Sequence, residues 1–426
     1  FDGRSMESVA WMAVELRTRI DGYYRKVNSN SVPKIGIYRG QLTAEARKAS
    51  GFENRVNLIG GKGKTRFDRR HHAMDALVIA MMNQSVSQTL ALRVNMRESQ
   101  RITGQEETWK NFYGKPGQAS ERFEKWREGM LRAVELLNVA LAKNAIPFHE
   151  NVRLCVGSSK AHGDKIRKFI HAKLGEALSV ALIDRAETPA LWTALTRLPD
   201  FDPKDGLPED PSREIYIHGR KIAADEQLNF FGTSSACIAV RNGYAMLESA
   251  LHHVRIYRIE GKKTSYAMVR VFAADLYRMT HQDVFTVPLK ESAISVRTSS
   301  STIRKALREG NATQIGWLVR GDELQIENAE FKKGDIAVFS AKYPQVTAWT
   351  VDGFEDTTRI NLRPLMLSGE GIADDEEPEI VKIIEKSWRV SLDLLLSGSN
   401  VSVIRRNALG EVRMRGSSLP VSMRLK

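Results

Sequence analysis

Cysteine is almost missing from this chain: two in 426 residues, Cys155 and Cys237, far apart and in apolar or strand-like surroundings. That excludes a disulfide framework and a cysteine-type zinc site, and makes a reducing compartment the default. No apolar run is long enough to cross a bilayer, so no membrane association is expected. No signal peptide opens the chain, and neither does an initiator Met. It begins FDGRSMESVAWMAVELRTRI, which reads as a helix entered mid-fold, so a C-terminal piece of a longer protein is expected. Internal repeats and low-complexity tracts are absent too. Acidic residues are in deficit, 51 against 64 Lys and Arg, a formal charge of +13. On a well-mixed sequence whose basic residues cluster, that excess points to a polyanionic partner rather than to solubility alone.

What is present falls into two styles. Residues 5–21 place Met6, Val9, Ala10, Ala13, Leu16 and Ile20 on one helical face. VPKIGIYRGQL (32–42) predicts a strand, and TAEARKASGF a short helix capped by Thr43. GGKGKTRF (60–67) is a basic glycine-rich loop, and 121–144 and 162–183 read as long amphipathic helices. LPDFDPKDGLPEDPS (198–212) has linker composition. Beyond it the segments shorten and alternate. HVRIYRI, EGKKT and SYAMVRVF make a hairpin, and WLVRGDELQI, GDIAVFS, VTAWTVDGF and TRINLRPLML continue as strands. ADDEEPE (373–379) reads as a solvated acidic loop, and VSVIRR with EVRMRG as a closing hairpin.

The most telling stretch is FDRRHHAMDALVIAMM, 67–82. Asp68 is a candidate N-cap, and good helix formers follow. His71 and His72 lie four and three residues before Asp75, spacings that share one helical face. A carboxylate there could hold a divalent cation while an imidazole takes a proton from water, the chemistry of metal-assisted phosphodiester hydrolysis. Taken alone, two His and an Asp at a helix start more often cap or pack.

With its Ala-Val-Ile continuation, HHAMDA resembles the third nuclease motif of the RuvC-like domain in the RNA-guided CRISPR endonucleases of the Cas-nine family. The resemblance implies His72 as general base, Asp75 as metal ligand and His71 as a neighbour touching metal or substrate. It implies Mg2+ or Mn2+ at a two-metal site completed by carboxylates outside this chain. SSKAHGDKIRKFI (158–170) is similar to a segment near the end of that domain. The β-rich remainder resembles the wedge and PAM-interacting domains of type II-C members, the PAM being the short duplex motif such enzymes read. The implied fold is α/β, an incomplete RNase-H-like portion, followed by mainly-β domains. The implied division is 1–197 RuvC-like, 198–212 linker, 213–315 wedge and 316–426 PAM-interacting. The implied partners are a guide RNA (crRNA:tracrRNA or a single guide), target DNA with its PAM duplex, and the N-terminal part of the same protein, in a prokaryotic cytoplasm. Neither the first and second nuclease motifs nor the HNH domain appears, so the chain alone is expected to be inert. A resolvase- or transposase-like nuclease and a non-catalytic nucleic-acid-binding module are the alternatives.

Three basic stretches are candidate nucleic-acid contacts. Lys62, Lys64, Arg66, Arg69 and Arg70 precede the motif; Lys160, Lys165, Arg167 and Lys168 form the second. Such groups grip phosphate and carry no sequence information. In the tail, seven basic residues face two acidic ones over 388–426. Arg413 and Arg415 on a two-stranded ribbon fit a groove. By resemblance, Lys342, Tyr343, Gln345 and Thr347 join Arg389, Arg405 and Arg406 as candidate PAM-duplex contacts.

Overall fold

Asn83 and Gly104 bound one helix and show how local sequence sets the elements. The Asn83 side chain accepts from the Val86 N–H at its start, and Gly104 closes it in the left-handed conformation, φ 66°. In the computed structural model the described residues are 3–27, 35–62, 65–146, 148, 165–246, 251–276, 283–327, 331, 333–398, 400–407 and 410–412. They divide into two compact units: residues 1–148 with 367–374, and 149–366 with 375–426.

The first unit is helical. It holds α1 (Gly3–Val27), α2 (Gly40–Ala49), a short hairpin of β1 (Asn57–Leu58) and β2 (Gly61–Lys62), α3 (His71–Ala80), α4 (Gln84–Thr103) and α5 (Gln118–Ala142). Met74 and Val78, four apart on α3, bury against Phe52 of the loop after α2, Leu90 of α4, and Trp126 and Met130 of α5. The Trp126 Nε1–H donates to the Met81 carbonyl at 3.0 Å, satisfying an acceptor left by the end of α3. Leu367–Asp374 returns to this unit: Leu367 bridges Asp68, and the Ser368 N–H donates to the Phe67 carbonyl at 2.9 Å.

The second unit is mainly antiparallel sheet. Its first part carries β3 (Ile170–Lys173), α6 (Val180–Ile183), α7 (Pro189–Thr196), β4 (Ile215–Ile217), β5 (Arg220–Ile222), β6 (Gln227–Phe230), β7 (Cys237–Val240) and β8 (Gly243–Met246). Next come β9 (Leu251–Ile259), β10 (Ser265–Phe272), α8 (Ala273–Leu276), α9 (Ile294–Arg297), α10 (Ser301–Glu309) and β11 (Ala312–Leu318). The last part has β12 (Glu323–Glu327), α11 (Asp335–Lys342), β13 (Ala348–Phe354), β14 (Arg359–Pro364), α12 (Pro378–Lys386), β15 (Trp388–Ser391), α13 (Leu392–Gly398) and β16 (Asn400–Ile404). The larger sheets run β10-β9-β11 and β15-β14-β13-β12-β16, and every strand pair among the described residues is antiparallel.

Several expectations are corrected. Residues 35–39 of the expected first strand form no strand among the described residues, and α2 starts at Gly40, so Thr43 lies inside a helix rather than capping it. The described part of the expected helix 162–183 is not one helix: β3 pairs with β6, and only Val180–Ile183 is helical. Gly175 breaks it. A Cβ there would lie 3.0–3.1 Å from Ala224 and Asp210, and the Gly175 N–H bonds the Ala224 carbonyl. GDIAVFS is helical because Ile336 and Phe339 bury on one face at i, i+3 spacing. Residues 198–212 are packed: Leu207 is buried beside Leu178 and Trp192, with Phe201 against the same cluster. The 251–272 hairpin forms as read, with Met268 opposite Ile256. Among the described residues, no helix is long and apolar enough to cross a membrane.

Candidate active site and nucleic-acid surfaces

Asp68 builds the entry to α3 without capping it. The residue preceding the helix is Arg70, which makes no side-chain cap. Asp68 is fully buried and accepts from the Ile59 N–H (2.9 Å), the Arg70 N–H (2.9 Å) and two guanidinium N–H groups of Arg70 (3.1 and 2.8 Å). Arg70 also donates to the Leu141 carbonyl and to Asn144 Oδ1. This buried, multiply bonded pair fixes where the chain turns into α3.

The two histidines then diverge. His71 Nδ1 lies 2.8 Å from the Asp68 carbonyl oxygen, so the hydrogen sits on Nδ1. The His72 ring lies against it, tilted by 35° at a centroid distance of 4.2 Å, and is exposed. Asp75, one turn on, accepts from Arg47 Nη1 at 2.7 Å; its side chain is 25% exposed and that of Arg47 9%. Arg47 comes from α2. Two residues earlier on that helix, buried Glu45 accepts from Arg93 at 3.0 Å and Arg97 at 2.8 Å. Sequence reading missed Arg47. The signal in TAEARKA, a helix carrying charges where its burial demands apolar residues, is visible only once the packing of α2 is known.

The arrangement therefore presents an exposed imidazole beside a half-buried carboxylate, over a floor of buried ion pairs. Among the described residues, no three His, Cys, Asp or Glu side chains come together as a metal site. A divalent cation at Asp75 needs further ligands and must compete with Arg47.

The candidate basic residues separate by environment. Arg70 is structural, as above. Arg66 reaches Glu370 at 3.5 Å with both side chains more than 70% exposed, a pair worth little. The Arg69 guanidinium lies 5.3 Å from the Phe148 ring centroid. Lys165, Arg167 and Lys168 are exposed on a non-helical segment, with Arg167 backbone-bonded to Tyr244, so they do not lie on the helix expected over 162–183. Lys64, Lys160, Arg413, Arg415 and the side chain of Lys62 lie outside the described residues.

In the last sheet the arginines do unequal work. Arg405 makes two bonds to fully buried Asp322 (2.9 and 2.6 Å) and lies 3.9 Å over the Trp317 ring. Arg406 makes two bonds to Glu323 (2.7 and 2.8 Å). Lys342 and Tyr343 both bond Glu376, whose side chain is largely covered while the rest of the acidic loop 373–379 is exposed, as expected. Burial alone would raise the Glu376 carboxyl, but those bonds and the Glu377 N–H hold it below its ordinary value. Thr347 accepts from Gln325 at 2.6 Å, while Gln345 is exposed. Arg389 pairs with Glu355 at half exposure, and Asn361 opposite it on β14 is flanked by Arg359 and Arg363 on the outer face of the same sheet. These last two arginines were legible in the alternation of RINLRP but were not singled out.

Four family models match successive stretches of the chain. They are RuvC endonuclease subdomain 3 (1–155), the CRISPR-associated endonuclease Cas9 beta-hairpin domain (159–249), the Topo homology domain of that endonuclease (251–320) and the Cas9 C-terminal domain (321–426). The chain is 43% identical to the CRISPR-associated endonuclease Cas9 of Actinomyces naeslundii over 99% of its own length, and 41% identical to that of Corynebacterium diphtheriae over 100%. It spans 39% of the length of each of these curated relatives. Among solved structures it is similar to the type II-C Cas9 enzyme from A. naeslundii (TM-score 0.91, 41% identity, 97% of this chain and 48% of that one). It is also similar to C. diphtheriae Cas9 in complex with sgRNA and target DNA (TM-score 0.83, 37% identity, 98% of this chain and 47% of that one).

Proposed function

Because the chain belongs to the Cas9 family of CRISPR-associated endonucleases, along that family's third RuvC subdomain and C-terminal domains, we propose that it supplies part of the RuvC nuclease site and the PAM-duplex surface of an RNA-guided DNA endonuclease. The observation that carries the proposal is the His72–Asp75 pair at the start of α3, inside the stretch matched by the RuvC subdomain. In this reading His72, exposed and lying against a His71 whose tautomer is fixed, takes the proton from the attacking water. Asp75 contributes one carboxylate to a divalent-metal site, Mg2+ or Mn2+, completed from outside this chain. The bound metal would supply Lewis-acid stabilisation of the phosphodiester. Arg47 holds Asp75 in place until then. The first unit would be the helical part of an RNase-H-like fold, and the wedge and PAM-interacting domains follow the boundaries near 250 and 320.

Guide RNA and target DNA are the proposed partners, with Lys165, Arg167 and Lys168 on phosphates. For the PAM duplex the outer face of the last sheet, with Arg389, Arg359 and Arg363, and the exposed Gln345 are the proposed contacts. Arg405 and Arg406 hold the sheet together instead. The test is strand-resolved cleavage by the full-length, guide-loaded enzyme. Asp75→Ala and His72→Ala should each abolish cutting of the non-target strand while target binding persists. Undiminished cutting by both variants removes the catalytic assignment.

A further inference from the structure

A cavity of about 280 Å³ in the second unit collects arginines from four separate places: Arg185 after α6, Arg270 on β10, Arg297 at the end of α9 and Arg304 on α10. Arginine cannot shed its charge in a protein, so four guanidiniums around one small space repel unless something negative sits among them. The carboxylate that lines the same cavity is Asp184, and it is already engaged by Arg304 at 2.6 Å and by the Trp192 indole N–H at 3.2 Å. Asp275 acts on Arg297 and Asp356 on Arg270 from outside the lining, and four guanidiniums against three carboxylates still leave positive charge in excess.

Three of the four guanidiniums are held on one side, leaving other N–H groups over. Arg297 Nη1 is anchored on the Ala186 carbonyl at 2.8 Å, and Arg185 Nε on the Ala181 carbonyl at 2.9 Å. The Nε–H groups of Arg297 and Arg304 are buried and meet no acceptor among the described residues. Arg270 has no hydrogen-bond or ion-pair partner among the described residues; burial lowers its pKa despite the Asp356 carboxylate nearby. Buried donors without acceptors are rare and ask for a ligand. The Thr233–Ser235 turn adds hydroxyls to the wall.

We infer that this cavity is a binding site for a tetrahedral oxyanion, a phosphate group. A planar carboxylate offers two oxygens in one plane, whereas donors converging from four elements suit a group whose acceptor oxygens point in different directions. The site lies within 181–304 and does not depend on the nuclease reading. The group could be free inorganic phosphate or a phosphate of a polynucleotide backbone, the same chemistry from two sources.

The test uses the full chain and calorimetric titration with inorganic phosphate at constant ionic strength. Saturable binding at one site is expected. Arg270→Gln should weaken it about tenfold or more, because it removes a converging donor fork, without lowering the melting temperature in phosphate-free buffer. Lys305→Gln removes the same charge outside the cavity and should change affinity less than about twofold, as a screened surface charge does. A second arm titrates a short single-stranded RNA. If its binding is weakened by Arg270→Gln and competed by inorganic phosphate, the source is the polymer. If phosphate binds in the Arg270-dependent way and the RNA is indifferent to the substitution, the source is the free anion. Equal weakening by the two substitutions, or no Arg270-dependent binding of either probe, overturns the inference.

Discussion

Arg47 and His253 show how single residues carry measurable consequences away from the chemistry they support. Arg47 is buried and its bond to Asp75 leaves few alternatives for either charge. Replacing it by Met strips a partner from a half-buried carboxylate and should lower unfolding stability by about 1–3 kcal/mol. Asp75→Asn in the same background should recover part of that loss, a coupling that a double-mutant cycle in urea reads directly. His253 lies fully buried on β9, beside His252, Arg255 and the stacked rings of Phe285 and Trp317. Burial first, then the charges of Arg255 and His252, depress its pKa to about 2. The folded protein thus keeps this imidazole neutral while the unfolded chain protonates it near pH 6.5. The stability it contributes is whole above that pH and is lost as pH falls towards 2, at about 1.4 kcal/mol per pH unit. Unfolding curves below about pH 6.5 should show this slope, and His253→Leu should flatten it.

At the scale of elements, hydrophobic period was readable and partners were not. The alternation of 253–272 specified a hairpin that the structure forms, its first strand starting two residues earlier, and the 3.6 period of 121–144 placed α5 within a few positions. VPKIGIY carries the same alternation, yet no strand among the described residues pairs with it, because alternation says nothing of where a partner edge lies. GDIAVFS was too short to separate strand from helix, and Gly175 made two elements of what composition read as one. At the candidate site, His71, His72 and Asp75 were legible because three and four residues along a helix are a local matter. Arg47 was not, since its pairing spans 28 positions. The arginines of the tail teach the same lesson. Net charge marked Arg389, Arg405 and Arg406 alike, but burial divides them. Arg405→Ala leaves the Asp322 carboxyl sealed in the sheet without its cation and should cost about 3–5 kcal/mol in urea unfolding. Arg389→Ala, at a half-exposed pair, should cost about 1 kcal/mol or less and show itself in DNA binding instead.

For the molecule as a whole, one His–Asp pair with no further carboxylate grouped beside it among the described residues predicts a chain that holds nucleic acid and cuts none. Incubation of the purified chain with Mg2+ and single- or double-stranded DNA should give no nicks, and its binding should weaken steeply with salt, as phosphate contact by a chain of charge +13 requires. Metal-dependent nicking by the chain alone would mean that another carboxylate completes the site. The strap formed by Leu367–Asp374 bears on a different matter, the order in which the protein is made. It seals the turn at Phe67–Asp68 that leads into α3, yet Arg66 and Glu370 are 304 positions apart. A ribosome adding about 5–20 residues per second needs roughly 15–60 s to travel that distance. For that interval α3 lacks its last wall, so the helix that bears His72 and Asp75 is finished long after it is translated.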